Sequence, residues 1–142
     1  MDKTNNILVL CTGNSARSQM AEAYLKSLVG DGFKIYSAGF EPRPIHPYTI
    51  QVMREDGIDI TAQRSKAVKE FLGRMGFLYV ITVCEKAEKN CPTTFPGALN
   101  RIFWPFEDPS AFEGEETDKL NKFREIRELI KERISKWIKE IK

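Results

Sequence analysis

Cys11, Cys84 and Cys91 make an odd set of cysteines in a 142-residue chain. A chain of this length buries enough surface to fold without disulfides, so chemistry explains the cysteines better than cross-linking does. Cys11 opens the stretch Cys11-Thr12-Gly13-Asn14-Ser15-Ala16-Arg17-Ser18, which leaves an apolar run and enters a helical pattern. Successive backbone N–H groups of such a turn form a concave nest, and the helix start adds positive potential. Thr12, Gly13, Asn14, Ser15, Ala16, Arg17 and Ser18 are therefore candidates for an anion cradle. Arg17 can clamp two oxygens of a tetrahedral anion through its planar fork. The same field is expected to lower the pKa of Cys11 and give a thiolate nucleophile near neutral pH. Ser18 can donate a hydrogen bond to that thiolate. Gly13 allows a tight turn, and Asn14 can hold the loop through side-chain to backbone bonds.

Breaking an oxygen away from a tetrahedral oxyanion also needs a proton donor. Trp104-Pro105-Phe106-Glu107-Asp108-Pro109 offers two carboxyls in a partly apolar setting. Neighbouring residues point in different directions, so one of Glu107 and Asp108 is expected to reach the loop. Cys84 and Cys91 do not have the spacing of a Cys-x-x-Cys metal pair, and His46 is the one histidine, so no metal site is expected. Taken alone, this pair reads as well as one buried and one surface cysteine. Beside the Cys11 loop, a redox role is the better reading. His46 lies between Pro44 and Pro47, where a capping or surface role is expected rather than catalysis. The charged run 85–89 reads as a solvated face.

Strand-like runs alternate with amphipathic ones. Asn6–Leu10, Phe33–Ser37, Phe77–Val83 and Arg101–Trp104 are predicted strands, the third apolar enough to be buried on both faces. Helices are predicted over Arg17–Val29, over Pro47–Glu55, over Ser65–Leu72 with Ser65 as its cap, and from about Thr117 to near the end. Leu120, Phe123, Arg127, Ile130, Ile134, Trp137 and Ile141 set the period of the last one. The pattern predicts an α/β fold, one domain over residues 1–142, with a parallel sheet. Such sheets bind ligands at the carboxyl ends of their strands, where Cys11, Cys84 and Trp104 all fall. A net charge of +2 gives no reason to expect nucleic acid as a partner. The longest apolar run near the N-terminus, Ile7–Cys11, is too short for a signal peptide or a membrane span, and the chain reads as cytoplasmic.

The run Val9-Leu10-Cys11-Thr12-Gly13-Asn14-Ser15-Ala16-Arg17-Ser18-Gln19-Met20-Ala21-Glu22 resembles the signature loop of the low-molecular-weight phosphatases, especially their thioredoxin-coupled arsenate reductases. Ser37-Ala38-Gly39 and Trp104–Pro109 extend the resemblance over most of the chain. Ala16 departs from it, standing where several relatives carry a second cysteine.

The resemblance implies a three-layer sandwich on a central four-stranded parallel sheet, and it selects Asp108 over Glu107 as the acid. It implies a resolving pair at Cys84 and Cys91, which form the redox disulfide. Ordinary phosphatases lack this pair and carry aromatic residues after Asp-Pro, where this chain has Ser110 and Ala111. The implied activity is reduction of arsenate to arsenite, with phosphate as a competitor, thioredoxin as reductant and no organic cofactor. The alternatives are a phosphatase using Cys11, Arg17 and Asp108, and a non-catalytic phosphate-binding or redox-sensing module. Some such reductases hold potassium beside the loop. Asn14 and Glu22 match that site, but Arg64 and Lys66 replace its other ligands, so an ammonium is expected near Glu22 and no potassium dependence follows.

Overall fold

A strand that is apolar along its whole length belongs in the middle of a parallel sheet, and Asn6–Cys11 is buried at every position. This is β1 in a computed structural model that describes residues 5–71, 73–90 and 97–141. It pairs in parallel with β2 (Lys34–Gly39) on one side and β3 (Phe77–Thr82) on the other. β4 (Ala98–Phe103) continues the sheet beyond β3, giving the order β2-β1-β3-β4. The helices are α1 (Arg17–Val29), α2 (Pro47–Glu55), α3 (Glu85–Asn90) and α4 (Glu116–Ile141). The chain leaves β1 toward β2 on one side, while β3 lies on the other. That reversal opens a crevice at the carboxyl ends of β1 and β3.

Side chains alternate across β1 and so supply two cores. Ile7, Val9 and Cys11 pack with Met20, Tyr24 and Leu25 of α1 and with Phe123, Ile126, Ile130 and Ile134 of α4. Leu8 and Leu10 turn the other way, onto Ala38, Val68, Phe71, Phe77 and Val80. The result is a layered α/β fold, with a thinner third layer around Val68 and Phe71. Phe123, Ile126, Ile130 and Ile134 are each at most 1% exposed. Burying each contributes about 1.5–3 kcal/mol, which holds α4 more firmly than its own propensity could.

Both α1 and α2 span the residues predicted for them, and α4 begins one residue earlier than predicted. β2 runs on to Gly39, and β4 lies three residues upstream of its predicted start, at a sheet edge where four of its six residues are exposed. Over its described residues, 65–71, the helix predicted for Ser65–Leu72 does not form. Of these, Val68–Glu70 form a single 3-10 turn and the rest are not helical. The backbone there is already committed elsewhere: Lys66 O accepts from Gly39 N–H, Lys66 N–H donates to Asn14 Oδ1, and Ala67 bridges Gly39. Ser65 caps nothing; its hydroxyl donates to Gly13 O. Among the described residues no helix is long and apolar enough to cross a membrane.

Candidate active site

β1 ends at Cys11, and the chain must turn sharply before α1 begins at Arg17. Asn14 makes that turn at φ 50°, a left-handed conformation that asparagine tolerates better than most residues. Gly13 is not the left-handed residue, but a Cβ there would press to 3.0 Å of Ser15 N. Gly39 is equally constrained, since a Cβ on it would stand 2.6 Å from Thr12 O. The end of β2 therefore packs directly on the loop backbone.

The Asn14 side chain is saturated. Its Nδ2 donates to Ser18 Oγ at 2.8 Å and to Ser37 Oγ at 2.9 Å, while Oδ1 accepts from Lys66 N–H at 2.7 Å. Ser18 Oγ, already accepting from Asn14, has its own hydrogen free for Cys11 Sγ at 2.9 Å. Asn14 N–H donates to the same sulfur at 3.1 Å. Cys11 is 2% exposed, and burial raises its thiol pKa above the ordinary value. The Ser18 hydroxyl, the Arg17 charge and the backbone N–H groups of Asn14 and Ser18 pull it down without offsetting that burial. The expected net lowering is therefore not found: the predicted donors are in place, and desolvation outweighs them.

Arg17 Nη1 donates to Phe106 O at 3.0 Å, and Nη2 stands 3.7 Å from Asp108 Oδ2. Asp108 lines the pocket with Cys11 and also caps the 3-10 turn Pro109–Ala111, its Oδ1 accepting from Ser110 N–H and Ser110 Oγ. Glu107 also borders the pocket but pairs with Lys122 of α4. Cys84 is a free, buried thiol on the wall of the same pocket. Its sulfur accepts from Ala87 N–H at 3.4 Å and shares a hydrogen bond with Thr12 Oγ1 at 3.4 Å. Cys91 lies outside the described residues. The pocket has a volume of about 650 Å³ and is lined by Cys11, Thr12, Gly13, Ser15, Ala16 and Arg17 at its base. Asn14 and Ser18 support it from behind, fully buried.

Three supporting residues were not anticipated in these roles: Thr12 toward Cys84, Ser37 toward Asn14, and Ser65 on Gly13 O. Val9 pairs with Ser37 in the sheet register, a placement no local pattern reveals. His46 caps α2, its Nδ1 accepting from Tyr48 N–H at 3.0 Å. The cation site of the potassium-binding relatives does not fit these residues. Glu22 is surrounded by Ser37 Oγ, Lys26 Nζ and Lys66 Nζ, the last at 3.5 Å, and Asn14 Oδ1 is occupied by Lys66 N–H. Arg64 turns outward to Glu70. Among the described residues no group of three or more His, Cys, Asp and Glu could hold a metal ion.

The chain matches the family model for low molecular weight phosphotyrosine protein phosphatase over residues 6–142. It is 42% identical over 134 residues to an arsenate reductase of Oceanobacillus iheyensis, covering 94% of each chain. It is similar in structure to an arsenate reductase in the phosphate-binding state, with TM-score 0.77, 31% identity, and 98% and 100% of the two chains covered. It is similar also to a thioredoxin-dependent arsenate reductase of Corynebacterium glutamicum, with TM-score 0.76 and 29% identity, covering 99% of this chain and 63% of that one. A Cys-to-Arg loop at a strand end, an Asp-Pro facing it and family likeness over nearly the whole length give one conclusion: the chain belongs to the low molecular weight phosphotyrosine protein phosphatase family.

Proposed function

We propose that this protein reduces arsenate to arsenite in the cytoplasm and is regenerated by thioredoxin. One observation carries the reading: a second free thiol, Cys84, lines the pocket of Cys11 and is hydrogen-bonded to the loop that follows it. A phosphatase needs one nucleophilic sulfur; a reductase needs a second to take the first one's adduct apart.

In the proposed sequence arsenate lies in the loop with its oxygens on Arg17 and the backbone amides. Cys11 thiolate attacks arsenic, and an oxygen leaves as water after protonation by Asp108. Asp108 reaches that role by giving up its place beside Arg17. Cys84 thiolate then attacks Cys11 Sγ. The S–As bond breaks, its electron pair passes to arsenic, arsenite departs and a Cys11–Cys84 disulfide remains. Cys91 attacks Cys84, frees Cys11 thiolate and leaves a Cys84–Cys91 disulfide for the dithiol of thioredoxin to reduce. Thr12 Oγ1 and Ala87 N–H hold the Cys84 sulfur in position for its attack on Cys11. Phosphate binds in the same cradle and cannot be reduced, so it competes.

A coupled assay tests this: arsenate-dependent NADPH oxidation with thioredoxin and thioredoxin reductase. Sustained oxidation that phosphate inhibits and Cys84→Ser abolishes is the expected result. The second reading, a phosphatase, is favoured by the grouping of Cys11, Arg17 and Asp108, which is all that ester hydrolysis requires. No arsenate-dependent signal together with fast aryl phosphate hydrolysis would establish it instead.

A further inference from the structure

The pocket above the loop, about 650 Å³, is far larger than the few atoms of a tetrahedral oxyanion, and charged side chains form its outer wall. Most of those charges have partners. Arg17 is tied to Phe106 O and faces Asp108, Lys86 pairs with Glu41, and Glu107 pairs with Lys122. Two cations on the pocket wall have no ion-pair or hydrogen-bond partner among the described residues: Lys89, exposed on α3, and Arg43, which follows the end of β2.

The position of Arg43 is nevertheless well determined. Pro42 and Pro44 flank it, and a residue preceding proline is held in extended backbone. Arg43 N–H donates to Gly13 O at 2.9 Å, and Glu41 N–H donates to Thr12 O at 2.8 Å, so this segment is stitched to the carbonyl side of the cradle. The Arg43 stem then crosses the bare face of Gly13, with Cδ and Cγ 3.7 and 3.8 Å from where a Cβ would be. A side chain on residue 13 would crowd that path. Fixed at its base, Arg43 carries an uncommitted cationic fork into a pocket built for an anion.

We propose that Arg43 is a second oxyanion-binding residue, which holds the inorganic anion from the mouth of the pocket and sets its affinity while Arg17 acts at the base. The proposal rests on the oxyanion reading of the Cys11 loop and is independent of the cysteine relay. Glu85, Glu107 and Asp108 also border the pocket, and they oppose an incoming anion that Arg43 must draw past them.

Inorganic phosphate is the probe, with binding to the reduced protein read by protection of Cys11 from alkylation, beside KM and kcat for arsenate. Arg43→Gln keeps the stem and removes the charge; a charge-assisted contact of this kind lost should weaken phosphate about fivefold and raise KM equally, with kcat retained. Arg43→Lys should keep most of the affinity, and the difference between the two variants should shrink as salt rises. Unchanged phosphate affinity in Arg43→Gln overturns the proposal. Equal losses in both variants overturn it too, since the fault would then lie in packing over Gly13. If the wild-type protein does not bind phosphate, the oxyanion reading fails and takes the proposal with it. If phosphate binds but arsenate is not turned over, the relay fails and the binding measurement still decides the role of Arg43.

Discussion

Cys11 is held between opposing effects, and its reactivity follows from their balance. Burial disfavours the thiolate, while one hydroxyl, one guanidinium and two backbone N–H groups favour it. Removing any of the favourable groups must raise the pKa further. Ser18→Ala should therefore slow iodoacetamide alkylation of Cys11 at neutral pH by roughly fivefold or more, the loss of one hydrogen bond to a charged acceptor, and move the titration upward. An unchanged alkylation profile would remove Ser18 from the set. Thr12→Val separates the two thiols in a different way. It should leave aryl phosphate hydrolysis, which uses Cys11 and not Cys84, near its wild-type rate, and slow arsenite release by roughly fivefold. Equal slowing of both reactions would mean that Thr12 serves the loop and not Cys84. The octet from Cys11 to Ser18 was legible because its chemistry is local: nucleophile, turn and clamp follow one another along the chain. Thr12 with Cys84 and Asn14 with Lys66 were not, because those contacts join residues 72 and 52 positions apart.

Helix ends that carry their own signals were read correctly, as α1 and α2 show, whereas the segment 65–71 was misread because its backbone serves β2 and Asn14. α2 adds a pH dependence. Burial holds the His46 pKa below its ordinary 6.5, the Asp108 carboxylate opposes that shift, and Lys119 reinforces it. The folded form thus favours the neutral ring, whose Nδ1 is the acceptor that caps α2. Between the folded value and 6.5 the unfolded chain binds more protons, so stability from this group is lost as pH falls through that window. His46→Asn should keep the cap and flatten this acid limb; His46→Ala should cost about 1 kcal/mol at neutral pH, the usual worth of a cap. A midpoint that falls from pH 7 to 5.5 as steeply in His46→Asn as in wild type would exclude His46 as the cause. α3 occupies Glu85–Asn90, the stretch between the two proposed redox cysteines. Seven residues of continuous helix separate Cα atoms by about 10 Å. A disulfide allows at most about 7 Å, so if the helix ran on over 84–91 it would have to open when Cys84 joins Cys91. Of its side chains Glu85, Lys86 and Lys89 are exposed and Ala87 is buried, so opening forfeits little packing. Oxidation should raise amide exchange over 85–90 and leave α4 unchanged, and Cys91→Ser should stall after about one turnover as a Cys11–Cys84 disulfide. Sustained thioredoxin-coupled turnover by that variant would sink the relay.

The molecule as a whole brings segments from three strand ends to one pocket, and it does so through a buried polar spine running from the sheet to the helical layer. Cys11, Ser18, Asn14, Ser37 and Glu22 are linked in that order, and Lys66 closes the spine from the segment beside β2. Glu22 and Lys66 are 4% and 8% exposed, so solvent satisfies neither charge: Glu22 takes Lys66, Lys26 and the Ser37 hydroxyl, and Lys66 has Glu22 as its counter-charge. The Lys66 ammonium also donates to Arg64 O at 2.7 Å, which fixes it beside Glu22. Burial lowers the Lys66 pKa, and Glu22 counters by favouring its charged form. A lysine committed in this way is present at any salt composition. Potassium and sodium at matched ionic strength should therefore give the same melting temperature and the same kcat/KM. Lys66→Met should destabilise the fold by less than the about 3–5 kcal/mol typical of a broken buried pair, because Lys26 still reaches Glu22. It should also slow Cys11 alkylation, as the loss travels through Ser37 and Asn14 to the sulfur. A wild-type melting temperature that rises with potassium over sodium would show that Lys66 does not fill the cation's place.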